Sequence, residues 1–181
     1  RFRTAELGLA VAALVGVLVF GVLAGILVAV GLSVAELFAL VARPPAAVLG
    51  RVPGLAGLHD ITDYPDASQV PGLLVFRYDA PLCFANAQDF RAHALDSVDQ
   101  SAEPVEWFLL NAEAIVELAM TAADALRELV HDLADRGVVF AMARVKQDLL
   151  AYLARAELFD VIDEERIFPT LPVALEAFEH R

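Results

Sequence analysis

Residues 7–35, LGLAVAALVGVLVFGVLAGILVAVGLSVA, contain no charged side chain, and only Glu6 and Glu36 interrupt the longer apolar run from Ala5 to Ala42. So long an uncharged stretch exceeds any core helix of a soluble domain, and the segment is predicted to span a membrane. From Leu7 to Ala42, at about 1.5 Å per residue, a single rod would measure roughly 54 Å against a hydrocarbon core of about 30 Å. One upright helix does not fit. Gly21 and Gly25 lie near the middle. One span is therefore expected to end near Phe20 and a second to run from about Val22 to Val41, with a single strongly tilted helix as the alternative. Arg1 and Arg3 precede the pair and Arg43 and Arg51 follow it, which predicts that both ends face the cytoplasm. Small residues recur every fourth position at Gly8, Ala12, Gly16 and again at Gly21, Gly25, Ala29. Such ridges suit close helix packing in lipid, although membrane helices are rich in Gly and Ala in any case. The chain opens on Arg-Phe-Arg without Met and shows no signal-peptide cleavage site, so it is expected to be part of a longer polypeptide.

Pro44 and Pro45 stop the helix, and GRVPGLAGLHDITDYPDASQVPG has the Gly, Pro and Asp content of a connector, placed at 44–71. It joins electrostatically different halves. Residues 1–58 hold Arg1, Arg3, Arg43 and Arg51 against Glu6 and Glu36, a net +2; the whole chain stands at −12, so the remainder stands at −14. An acidic surface of that size opposes nucleic acid, whose binding needs Lys and Arg on the phosphates. It suits a basic protein partner, or simply a soluble face.

Beyond residue 71 apolar runs alternate with helical patterns. Strands are predicted at 72–79, 105–114 and 138–145, with a short last one at Arg166-Ile167-Phe168-Pro169; helices are predicted at 86–98, 121–137, 146–159 and 171–180. Gly137 can cap the second helix, and Pro172 sits in the first turn of the last. Strands joined by crossover helices imply an α/β domain over 72–181, with a largely parallel sheet flanked by helices.

The stretch VPGLLVFRYDAPLCFANAQDF closely resembles the start of the STAS domain of SulP-type anion transporters, and the RPPAAVLGRVPG exit and the strand-helix alternation extend the likeness. The resemblance implies a STAS-like mixed sheet preceded by a transmembrane hairpin, with residues 1–43 as the last two spans of a secondary anion transporter of sulphate type. Its substrate site would then lie upstream, between broken helices at the bilayer midplane. It further implies a role in regulation and assembly, a homodimer, contact with lipid and with the upstream membrane domain, a regulatory protein partner, and a cytoplasmic position for the domain. The alternative is a membrane-tethered signalling module similar to anti-sigma factor antagonists. Those relatives carry an acid-Ser/Thr-Ser-Gly loop before the second helix, where this chain reads Ala119-Met120-Thr121-Ala122.

Within the motif Pro81, Phe84, Ala85, Asn86 and Ala87, Pro81 is expected to break the strand, Phe84 to anchor the core, and Asn86 to cap the helix that follows. Cys83 is expected to be a buried, inert thiol, since nothing in the sequence brings it a base, although His93 lies near. Thr121 and Asp124 form a T-x-x-D pattern, which predicts a cap at Thr121 or, alternatively, a regulatory hydroxyl. His59, His93, His131 and His180 are scattered, and the pair His131 and Asp135 on one helical face is too little for a metal. No Walker loop, G-x-G-x-x-G or G-x-S-x-G occurs, so no enzyme, cofactor or metal is expected.

Overall fold

The computed structural model describes residues 21–180 together with Gly8, Val11 and Leu14. Two compact units emerge, residues 1–43 and 44–181. In the first, helix α1 runs over Val22–Ala42, and its 21 residues at about 1.5 Å each match a hydrocarbon core of about 30 Å. Its mean hydropathy reaches 2.3, and among the described residues it is the helix long and apolar enough to cross a membrane. Gly21 precedes it with φ +86°, a conformation open to glycine at little cost, so the helix begins where the sequence places the second span. Gly8, Val11 and Leu14 are helical; the rest of the first span lies outside the described residues.

The second unit is built on β1 (Ala46–Arg51), β2 (Leu58–Asp60), β3 (Leu73–Tyr78), β4 (Trp107–Asn111), β5 (Val139–Ala143) and β6 (Ile167–Phe168), in the order β2-β1-β3-β4-β5-β6. β3 to β6 are parallel, and β1 is antiparallel to both its neighbours. Helices α2 (Ala87–Asp99), α3 (Met120–Asp135) and α4 (Gln147–Arg155) join the parallel strands, and α5 (Leu171–Glu179) follows β6. β3, β4 and β5 read as continuous apolar runs because both their faces are covered. On one face Leu74, Phe76, Tyr78, Phe108, Leu110, Phe140 and Met142 pack with α2, α3 and α4. On the other, Leu73, Val75, Leu109 and Ala141 meet α5, the one helix in that cluster among the described residues, through Leu171, Ala174, Leu175 and Phe178. The Trp107 and Phe178 rings meet edge to face at 5.7 Å.

The connector is the main departure from expectation. Residues 46–51 and 58–60 are strands, and β1 pairs with β3 from Ala46 opposite Tyr78 to Leu49 opposite Val75. Their Pro and Gly neighbours hide the pattern, but Ala47 and Leu49 point into the core while Ala46 and Val48 are half-buried. The helix expected over 146–159 ends at Arg155, and Glu157 at φ +53° turns the chain into a 3-10 turn that buries Leu158. Gly137 does close α3, at φ +74°, with its N–H on Ala134 O and Val138 N–H on Leu133 O.

Candidate functional site

Two loops meet at the carboxyl ends of β3 and β4, where open α/β sheets place their functional groups. The first carries the Pro81 to Ala87 motif and the second leads into α3. Leu82 joins them: its N–H donates to Glu117 O at 3.1 Å and its carbonyl accepts from Ala119 N at 3.0 Å. Leu82 is buried and is the core anchor of the loop. The expectation for Phe84 is corrected here, since 73% of it faces solvent. Leu82 gains the core because its backbone bridges to residues 117–119, which turns its side chain inward and leaves Phe84 on the outside.

Asn86 also differs from its expected role. It is buried, but its side chain makes no bond to the start of α2. Its Nδ2 instead donates to Pro81 O at 3.0 Å, and its Oδ1 accepts from Cys83 N at 2.9 Å. The amide thus braces residues 81–86 backwards along the chain, a tighter closure than one cap bond would give. Ala87 is buried behind it, Ala85 is half-buried and Pro81 is exposed. Cys83 is half-buried rather than buried. The His93 ring turns to its own helix, with Nδ1 at 2.9 Å from Asp89 O, so it does not serve the thiol as a base. Beneath the loop the fully buried Tyr78 hydroxyl donates to Asp89 Oδ2 at 2.9 Å. Burial pushes that hydroxyl well above the ordinary tyrosine value, and the bond to the Asp89 carboxylate pushes it further.

Thr121 does not cap α3. The helix begins at Met120, with Ala119 in the N-cap place and no side-chain cap bond. Thr121 falls one residue inside and is exposed. Met120, 70% exposed, and Val116, 43% exposed, stand with Phe84 as uncovered apolar groups on this loop pair. Sequence patterning missed that surface because it assigns apolar residues inward. Its trace in the sequence is Met120 in the stretch Ala119-Met120-Thr121-Ala122, where the resemblance implies a hydroxyl.

The sequence pattern of the STAS domain matches residues 64–174. The chain belongs to the STAS domain family. A protein of Mycobacterium tuberculosis named a probable sulfate transporter is 59% identical over 181 residues, all of this chain and 32% of its own length. The low affinity sulfate transporter 3 of Stylosanthes hamata is 32% identical over 172 residues, 90% of this chain and 27% of its own. This STAS-bearing chain therefore spans about a third or less of the curated relatives it matches. Among solved structures, the murine Solute Carrier 26 family member A9 anion transporter in its inward-facing state shares the fold at TM-score 0.82 and 16% identity, over 98% of this chain and 29% of that one. The STAS domain of a SulP transporter from Vibrio cholerae does so at TM-score 0.53 and 18% identity, over 66% of this chain and 91% of that one.

Proposed function

We propose that this chain is the C-terminal part of a SulP-type secondary transporter of sulphate or a similar inorganic anion. Residues 1–43 are its last two spans, and 44–181 form the cytoplasmic STAS domain, whose leading stretch 44–71 runs from the membrane and supplies β1 and β2 to the sheet. The observation that carries this reading is identity of 59% along the entire chain to a relative named as a sulfate transporter, three times as long. The apolar helix Val22–Ala42 directly ahead of the STAS sheet supports it. In this reading the chain holds no substrate site and conducts nothing alone. The domain acts in assembly and regulation, within a homodimer, and the exposed Phe84, Val116 and Met120 are its contact for a protein partner.

Sulphate uptake into proteoliposomes tests the proposal. The complete polypeptide is expected to accumulate labelled sulphate and the isolated chain none. A complete polypeptide that moves no inorganic anion sinks the transporter reading. Phe84→Ser in the complete protein is expected to alter flux or its control without unfolding the domain; unchanged flux and unchanged partner capture would remove the regulatory surface.

A further inference from the structure

On the sheet face opposite the loop pair, α5 covers β4 and β5 but leaves a cleft of about 770 Å³ toward β1 and β2. That volume lies in the range of small-molecule sites. Leu49, Leu58, Leu171 and Leu175 form an apolar wall along it. At one end the parallel strands finish in a polar row. Arg77 of β3 stands opposite Asn111 of β4, which in turn stands opposite Ala143 of β5, and Arg144 follows at once.

Two features of this row point to a ligand. Asn111 is only 3% exposed, and its Oδ1 accepts from Glu113 N at 3.3 Å. That bond turns the amide nitrogen away from Glu113, and the nitrogen has no hydrogen-bond partner among the described residues. Among the described residues no unpartnered side-chain nitrogen or oxygen is cut off from solvent, so this nitrogen opens onto the cleft that Asn111 lines, free to donate to a ligand there. Arg144 holds φ +59°, a conformation rarely kept by a residue with a side chain, and strain of this kind gathers at binding sites. Both guanidinium groups are held by exchangeable partners, Arg144 by Glu113 and Arg77 by Asp79, in pairs whose side chains are one-third to over one-half exposed. Exposed pairs of this kind contribute little, so a better placed anion can displace them.

We propose that this cleft binds an amphiphilic carboxylate, whose head accepts from Asn111 Nδ2 between Arg77 and Arg144 while its apolar body lies on Leu49, Leu58, Leu171 and Leu175. A planar carboxylate suits both the fork of a guanidinium and a single amide donor. This goes beyond the transporter reading and does not rest on it.

Fluorine NMR of para-fluorocinnamate with the chain in lipid nanodiscs tests the site, with empty nanodiscs measuring partition into lipid. The expected result is saturable binding, weakened about tenfold in Arg144→Gln and for the matching primary amide, para-fluorocinnamamide. Asn111→Ser is expected to weaken it as well; Arg144→Gln changes an exposed side chain and keeps the test open should the buried variant misfold. Absence of saturable binding overturns the site. Equal binding of the amide overturns the carboxylate head, and unchanged affinity in Arg144→Gln overturns the placement.

Discussion

Asn86 and Tyr78 show how single residues hold the motif loop. Asn86→Ala removes the bonds to Cys83 and Pro81 and leaves the Cys83 N–H and the Pro81 carbonyl to find water, so it is expected to cost about 2 kcal/mol in urea unfolding. Thr121→Ala, by contrast, removes an exposed hydroxyl that caps nothing, and stability should stay within about 0.5 kcal/mol. A larger loss on that substitution would restore a cap at Thr121. Tyr78 sets a pH dependence. Its folded hydroxyl gives up its proton above the ordinary value of 10.0, so below that pH the unfolded and folded chains are protonated alike and the contribution is complete. As pH rises past 10.0 the unfolded chain ionises first and stability falls. Tyr78→Phe should lower stability at neutral pH by about 1 kcal/mol, through the lost bond to Asp89, and flatten the alkaline decline. Unfolding curves from pH 8 to 11, at roughly half-unit steps, would show whether the two slopes differ.

At the scale of elements, β1 decides where the domain starts. It covers the edge of β3 with a ladder from Ala46 to Leu49 and adds Ala47 and Leu49 to the α5 side of the core. A fragment beginning at residue 72 loses both and bares a hydrogen-bonding edge in β3, a template for aggregation. The fragment 44–181 is therefore expected to melt cooperatively, and 72–181 to melt at least about 10 °C lower or to aggregate. Equal melting of the two would show that β1 is dispensable. Two glycines separate close approach from conformation. A Cβ on Gly50 would stand 2.8 Å from Ser68 O and 2.9 Å from Ile61 Cγ2, where the backbone of 68 is tied to Arg51 by two bonds. Gly50→Ala should cost about 2 kcal/mol through forced displacement. Gly137 has open space around it but φ +74°, so Gly137→Ala should cost about 1 kcal/mol. Thermal melts of the two variants would rank them.

For the whole molecule, an apolar helix and an acidic α/β domain in one chain require two solvents. The intact chain should need detergent or lipid to remain dispersed, whereas 44–181 should stay monodisperse in buffer, as light scattering can measure. The sequence alone determined the membrane-competent segment, because 29 uncharged residues leave few other fates, and it determined β3 to β6 with their helices, because runs of period and length carry that signal locally. It also determined the family, through a motif whose spacing survives without any coordinates. Only the tertiary structure decided that 46–51 and 58–60 are strands, since their partners lie some thirty residues away at Tyr78 and Val75 or across a turn. It likewise decided that Leu82 rather than Phe84 goes inward, that Asn86 bonds backwards, and that Arg77, Asn111 and Arg144 end side by side. The reason is the same in each case. Hydrophobicity and turn chemistry are properties of neighbouring residues, whereas burial and hydrogen-bond partners depend on which distant strand or loop arrives alongside.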